Sequence, residues 1–440
     1  MPLPLEGIRV IDMTVVWAGP FGAALLSDLG AEVFRVESVQ RWDANIRLPG
    51  NPDGMRAHGG SPAEGATPWE TSGNFNSVGR NRRSVTMDLT REEGRQVFYK
   101  LAAKCDVFIE NNSPDVVHGL GINYEILKQH NPGLIMVSLA AFGATGPYRH
   151  FRAYGANMEA VVGHALLRGY ADTDPTHNTN VFFADACAGA TSAFGILSAL
   201  YHRTKTGKGQ YIDMAQAENV AHSLSQALMD YSMNGRVQTT LGNRDPARAP
   251  QGVYRCTGED NWMTLSVGTD EEFRSLCEVI GRPELAKDPR YASSIERYRN
   301  QDDLDTAISE WTITQDQYAA FHALQAKGVP ASPILNIGQV YDDPHLKARG
   351  MWQSVTHPVA GTYDYLKPPI SHMSETPLQY WRHAPTLGQD NEYVYKELLG
   401  YSDAEYQEFV DTQHAGTTFI NVRPGQAERR YVPPTRTPSS

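Results

Sequence analysis

Residues 7–37, GIRVIDMTVVWAGPFGAALLSDLGAEVFRVE, hold two short runs of branched apolar residues on either side of a segment with helical spacing. GIRVIDMT at 7–14 predicts a buried strand and AEVFRVE at 31–37 a second one. Between them GPFGAALLSDLG at 19–30 reads as a helix that Gly30 stops. Strands joined by a single helix lie side by side in parallel, with a right-handed crossover. The expected class is therefore α/β around a parallel sheet. The pattern resumes with a helix at 91–104, strands in DVFIE (106–110) and LIMVSLAAF (134–142), and a helix at 185–204. A turn, TGKGQ, then leads to a strand at 211–214 and a long helix over 215–233.

The chain has 440 residues, enough for two or three domains. The reading places the first part of a large domain at 1–225, and a linker with a small α+β domain at 226–345. A C-terminal segment, 346–440, returns to the large domain and ends in a polar Pro/Arg tail. Residues 40–78, rich in Gly, Pro, Asn and Ser, read as a long loop. HPVAGTYDYLKPP at 357–369 reads as edge strands, and 385–410 as two amphipathic helices.

With 39 Lys+Arg against 50 Asp+Glu, the net charge is −11, which argues against a nucleic-acid partner. No apolar run reaches the ~18 residues of a membrane span, and the start lacks the pattern of a signal peptide. Cys105, Cys187, Cys256 and Cys277 are far apart and match no metal spacing, so no metal site and a cytoplasmic setting are expected.

Two motifs bear on chemistry. WAGPFG at 17–22, with Glu37 about 20 residues further on, suggests a dinucleotide site. It is not G-x-G-x-x-G, however, and Pro20 removes an amide donor, so an NAD-dependent oxidoreductase is the weaker reading. The second motif is FADACAGATSAFGILSALYHRTKTGKGQYIDM at 183–214. It sets Asp185 before a run of small residues, where free N–H groups and the helix dipole keep a carboxylate ionised. An ionised carboxylate that a bulky ligand can approach is a candidate nucleophile, although Asp is also a favoured helix cap.

The opening 31-residue segment resembles the start of family III CoA-transferases, the family of formyl-CoA transferase and crotonobetainyl-CoA:carnitine CoA-transferase. So do GRNRRSVTMDL (79–89), INYEILKQHNPGLIMVSLAAFGATGPY (122–148), the Asp185 block, VPASPILNIGQVYDDPHLKARGMW (329–352) and HPVAGTYDYLKPP. These matches run in order over about residues 5–410. The resemblance implies a large Rossmann-like domain with a smaller α+β domain, in an interlocked homodimer. It implies that Asp185 is the nucleophile, that CoA and acyl-CoA are substrates, and that no cofactor is permanently bound. The partners would be an acyl-CoA and a carboxylic acid, with no membrane.

On the same basis Val16, Trp17, Ala18, Asn111 and Ala140 would contact CoA, with Arg80, Arg82 and Arg83 on its phosphates. Tyr154 and Gly189 would meet the acyl substrate. Trp17 stands where formyl-CoA transferases have Gln, Ala140 where they have Lys and Gly119 where they have Arg. TLGNRDPARAPQGVY (240–254) replaces their glycine run. These departures speak against formyl-CoA and oxalate as substrates. Trp17 and FRAY at 151–154 suggest a larger, less polar acyl group, unless they are ordinary core aromatics. The superfamily also holds 2-methylacyl-CoA racemases, which use an Asp and a His. Tyr154 falls at the His position, with His164 nearby, and Tyr is a poor proton shuttle at neutral pH. A non-catalytic CoA-binding protein is the remaining alternative.

Overall fold

Six parallel strands, β1 (Arg9–Met13), β2 (Glu32–Glu37), β3 (Arg82–Thr86), β4 (Val107–Glu110), β5 (Ile135–Ser138) and β6 (Gln210–Asp213), form one sheet in the order β3-β2-β1-β4-β5-β6. The computed structural model describes residues 2–42, 47, 62–177 and 182–420. Connections run outward from β1 in one direction and from β4 in the other, so the strand order reverses between them. In open α/β sheets, the crevice beyond the carboxyl ends of such a pair is where ligands bind.

Alternation along the strands builds the two faces. Ile11, Phe34, Phe108 and Met136 point to one side, where Val97, Phe98 and Leu101 of the helix Glu92–Ala102 cover them. Val10, Val33, Ile109, Ile135 and Val137 point to the other. There they meet α1 (Ala18–Asp28) and, after a shorter α2 (Gly155–Val161), the 24-residue α3 (Phe183–Thr206). Helices α1 and α3 approach unusually closely. A Cβ at Gly22 would lie 2.3 Å from Ser192 Oγ, and one at Gly189 would lie 2.7 Å from the Ala18 carbonyl oxygen. The small residues of both segments are therefore required where the two backbones cross.

Buried charge caps the carboxyl end of β2. The Arg47 guanidinium donates to Glu37 at 2.8 and 3.0 Å and to Glu70 at 2.8 Å, and it lies 3.7 Å from the centre of the Phe75 ring. Glu37, which a dinucleotide site would use for a ribose, is thus committed to an ion pair.

The chain divides into two compact units. The first takes in Met1–His164, Asn180–Leu228 and Met351–Ser440, including an antiparallel hairpin of Trp352–His357 and Gly361–Leu366. The second takes in Ala165–Thr179 and Met229–Gly350. Its three-stranded antiparallel sheet, Gln251–Arg255, Trp262–Ser266 and Ala331–Ile334, packs Tyr254, Met263 and Leu265 on Phe273, Leu276, Leu304 and Leu324 from its helices. Ala165–Thr179, which the sequence reading leaves in the large domain, belongs to this second unit. Within it, Thr240 donates to the Gly169 carbonyl and Asn243 donates to the Tyr170 hydroxyl at 3.2 Å.

Some elements differ from expectation. The helix expected over 215–233 is broken into Gln216–Ala221, a 3₁₀ turn at His222–Leu224, and Ser225–Asn234, whose residues are all outside the core. The strand in 134–142 is only Ile135–Ser138, because the chain must turn into the crevice beyond it. The first of the two expected helices in 385–410 is a π-helical turn, Tyr393–Leu398, that buries Val394 and Tyr395. Of the expected loop 40–78, residues 43–46 and 48–61 lie outside the described residues, and its end is the helix Gly73–Val78. Residues 421–440 of the polar tail also lie outside them. Helix α3 is long and apolar enough to cross a membrane by composition, with mean hydropathy 1.4 over its best window; here half of that window is buried in the fold.

Candidate active site

The crevice beyond β1 and β4 opens into a cleft of about 360 Å³. Val15 and Val16 line it from the end of β1, Asn111 and Asn112 from the end of β4, and Ala140 from the end of β5. Val16 has φ 65°, a left-handed conformation that a β-branched residue adopts only at a cost of ~1–3 kcal/mol. Asn111 holds it there. Its Oδ1 accepts from the Val15 N–H at 2.7 Å, and its Nδ2 donates to the Val15 carbonyl at 2.9 Å. Behind it Glu110 is buried; Oε2 accepts from the Asn112 N–H at 2.8 Å and Oε1 from the Ser138 hydroxyl. Burial pushes its carboxyl up to about 7, against the pull of those donors.

Asp185 closes the inner end of the cleft from the first turn of α3 and is only 7% exposed. Burial pushes its pKa up to about 6; a hydrogen bond from the Ala18 N–H pulls against this, and the charge of Glu159 adds to it. A carboxyl of that pKa is mostly ionised at pH 7. Glu159 is itself buried on α2, where Oε1 accepts from the Ala184 N–H at 3.1 Å, and it thereby ties α2 to the start of α3. Gly155, the first residue of α2, lies directly against the Asp185 carboxylate. A Cβ there would fall 2.3 Å from Oδ2.

The outer lining is aromatic and cationic: Phe151 and Tyr154 are 57% and 58% exposed, alongside Arg41, Arg149 and Arg152. The FRAY aromatics are thus cleft residues rather than core. Gln216 also lines the cleft; its Nε2 donates to the Leu139 carbonyl at 2.6 Å, and its buried Oε1 has no hydrogen-bond partner among the described residues.

The structure thus brings Val16, Asn111, Ala140, Tyr154 and Asp185 together, with Ala18 joining through its backbone N–H. Other expected residues stand elsewhere. Trp17 precedes α1 and stacks at an angle on Phe21 with ring centres 6.3 Å apart. Gly189 lies under α1, where it serves helix packing rather than facing the cleft.

The arginine cluster is not at the cleft either. Arg80 is buried on Asp28 at 2.7 Å, and Arg82 is fully buried on Asp12 and the Pro20 carbonyl. Burial pulls the Arg82 guanidinium down to about 10. Arg83 pairs with Glu32 at 2.9 Å and Asp390 at 3.0 Å. A basic run just before a strand looks like a phosphate site in sequence, but these cations neutralise carboxylates that the sheet has buried. The cations that sequence reasoning misses are Arg41, Arg149 and Arg152; PYRHFR at 147–152 holds two of them, but without a recognisable spacing. Gly155 had no sequence signal at all. His164 pairs with Glu159, Nδ1 to Oε2 at 3.3 Å, and is not among the cleft residues, which disfavours the racemase reading.

Comparison with known proteins identifies the family. The sequence profile of CoA-transferase family III matches residues 5–391. The chain is 33% identical to the succinyl-CoA–D-citramalate CoA-transferase of Chloroflexus aurantiacus, over 91% of this chain and 96% of that one. It is 36% identical to the acetyl-CoA:oxalate CoA-transferase of Acetobacter aceti, over 79% and 85% of the two chains. A crystal structure of a CAIB/BAIF family protein from Brucella suis superposes with a TM-score of 0.79 at 33% identity, covering 90% of this chain and all of that one. On its α/β fold, its cleft and these relatives, the chain belongs to CoA-transferase family III, and it is an enzyme of that family.

Proposed function

We propose that this protein carries CoA from an acyl-CoA thioester to a free carboxylic acid through two kinds of covalent intermediate on Asp185. The observation that supports this most directly is a buried yet largely ionised carboxylate in the switch-point cleft, held by a backbone N–H and open to the outer lining. An Asp185 oxygen attacks the thioester carbonyl, the C–S bond breaks, and CoA leaves as the thiolate. The product is a mixed anhydride. The thiolate then attacks the Asp185 carbonyl carbon, displaces the donor acid as its carboxylate, and leaves an aspartyl-CoA thioester. The acceptor carboxylate attacks that thioester, expels the thiolate, and forms a second anhydride. Attack of the thiolate on the acceptor's carbonyl yields the new CoA ester and restores Asp185. The thioester's energy is retained throughout, so the cycle needs no permanently bound cofactor.

The Ala18 N–H, which pulls the carboxylate's pKa down, is the donor this reading offers to charge on the Asp185 carbonyl oxygen as it turns tetrahedral. The unpartnered Gln216 Oε1 offers an acceptor to an amide N–H of the pantetheine arm. Arg41 and Arg149 are the cleft cations offered to CoA's phosphates, in place of Arg80, Arg82 and Arg83. Mixing the enzyme with an acyl-CoA and quenching with borohydride or hydroxylamine should modify the peptide that contains Asp185. Modification elsewhere, or none during turnover, would refute the nucleophile.

A homodimer is part of the same reading. Phe194 and Tyr201 are 71% and 67% exposed and lie two turns apart on one face of α3. Large apolar side chains aligned in this way suit a surface that a second copy covers.

A further inference from the structure

Resting on that reading, we propose that Arg152 selects acyl groups that carry a second carboxylate, so that the donors are monothioesters of short dicarboxylic acids. Among the described residues three arginines line the cleft, and two of them are engaged. Arg149 Nε lies 2.7 Å from His150 Nε2, whose ring in turn contacts Asp115 at 2.7 Å, and Arg41 also has a partner. Arg152 lines the same cleft with neither a hydrogen bond nor an ion pair to any described residue. An unpaired guanidinium in the outer lining of a cleft that leads to a buried carboxylate is a ready site for a planar anion.

Two anions enter this cleft, the phosphates of CoA and any charge on the acyl group, and distance separates them. Arg152 is three residues before Gly155, which touches the Asp185 carboxylate, so their Cα atoms are at most ~11 Å apart. An arginine side chain is long enough to span much of that separation. In a succinyl group the second carboxylate is three C–C bonds from that carbonyl, ~4 Å along an extended chain. The pyrophosphate of CoA is much further off, since the pantetheine arm, about as long as five extended residues, holds it roughly 15 Å from the sulfur. The acyl end of the substrate falls well inside the reach of Arg152, and the pair of donors compared below tells it apart from the pyrophosphate. Phe151 and Tyr154 flank it and give the methylene stem an apolar surface. The aromatic FRAY segment, which in sequence suggests a less polar acyl group, thus combines a greasy wall with a charged tip.

The test uses the first half-reaction, which needs no acceptor: enzyme and donor give aspartyl-CoA and the free acid. Succinyl-CoA and butyryl-CoA are compared, since they share the CoA and the stem and differ in a carboxylate against a methyl. In the unaltered enzyme kcat/KM for this step should favour succinyl-CoA. Arg152→Gln should lower it ~10- to 100-fold for succinyl-CoA and less than about threefold for butyryl-CoA, as expected for losing one charge-assisted pair. Arg152→Lys should recover part of the preference. An equal fall with both donors would mean that Arg152 serves CoA, and no change with either would mean that it serves nothing here; both overturn the proposal. If the unaltered enzyme gives no aspartyl adduct with any donor, the transferase mechanism itself has failed, which is a separate result.

Discussion

Replacing Gly155 with Ala should separate activity from stability. The added Cβ would lie 2.3 Å from Asp185 Oδ2 and 3.2 Å from Phe182 Cδ1, where ordinary contact begins near 3.4 Å, so about 1 Å must be found. One way is to push α2 off α3, which would open the small cluster of Met158, Ala184, Ala217 and Val220 that seats it. The other is to rotate the Asp185 carboxylate, at an off-rotamer cost of ~0.5–1.5 kcal/mol. Rotation is cheaper, so the carboxylate gives way and moves off the Ala18 N–H. A displacement of about 1 Å in a reacting group costs ~100-fold in rate. CoA exchange between a donor thioester and an acid, followed by mass spectrometry of the CoA esters, should therefore fall by about that factor. Thermal unfolding should reveal a loss of no more than ~1–2 kcal/mol. Gly73→Ala, where a Cβ meets nothing within 4 Å, is the control for both measurements. If Gly155→Ala turns over within threefold of the unaltered enzyme, the position of the Asp185 carboxylate does not matter, and the reasoning is wrong.

Asp185 should also cost the fold stability, because its folded pKa, about 6, is raised above the ordinary carboxylate value of 3.8. Between those values the folded state holds more proton than the unfolded one, so stability falls as pH climbs through this window and remains lower above it. The difference is on the order of 2–3 kcal/mol at pH 7. Asp185→Asn should thus raise the unfolding midpoint at pH 7.5, with the gain fading at pH 4, while abolishing exchange; a lower midpoint at both pH values would contradict this. Light scattering at micromolar concentration should find a dimer, and Phe194→Asp should shift it toward monomer or aggregate. A monodisperse monomer of the unaltered protein would remove the dimer from the proposal.

The local pattern of residues 7–37 already contained β1, α1 and β2, because strand and helix periods are written in neighbouring residues and need no tertiary context. The same holds for Asp185 at the head of α3, where a carboxylate before a small-residue run is a local signal. What required the fold was every decision about which charge meets which. Arg82 and Arg152 look alike in sequence, yet the sheet buries Arg82 on Asp12 and leaves Arg152 in the cleft. Gly189 and Gly155 are equally anonymous as letters. One lets two helices cross and the other makes room for the Asp185 carboxylate, since a glycine's purpose is set by the atoms facing it. Burial and pairing depend on residues far apart in the chain, such as Asp12 and Arg82 or Gly155 and Asp185. Periodicity reports only the near neighbours, so the sequence could point to Asp185 as the candidate while the tertiary structure alone chose the side chains around it.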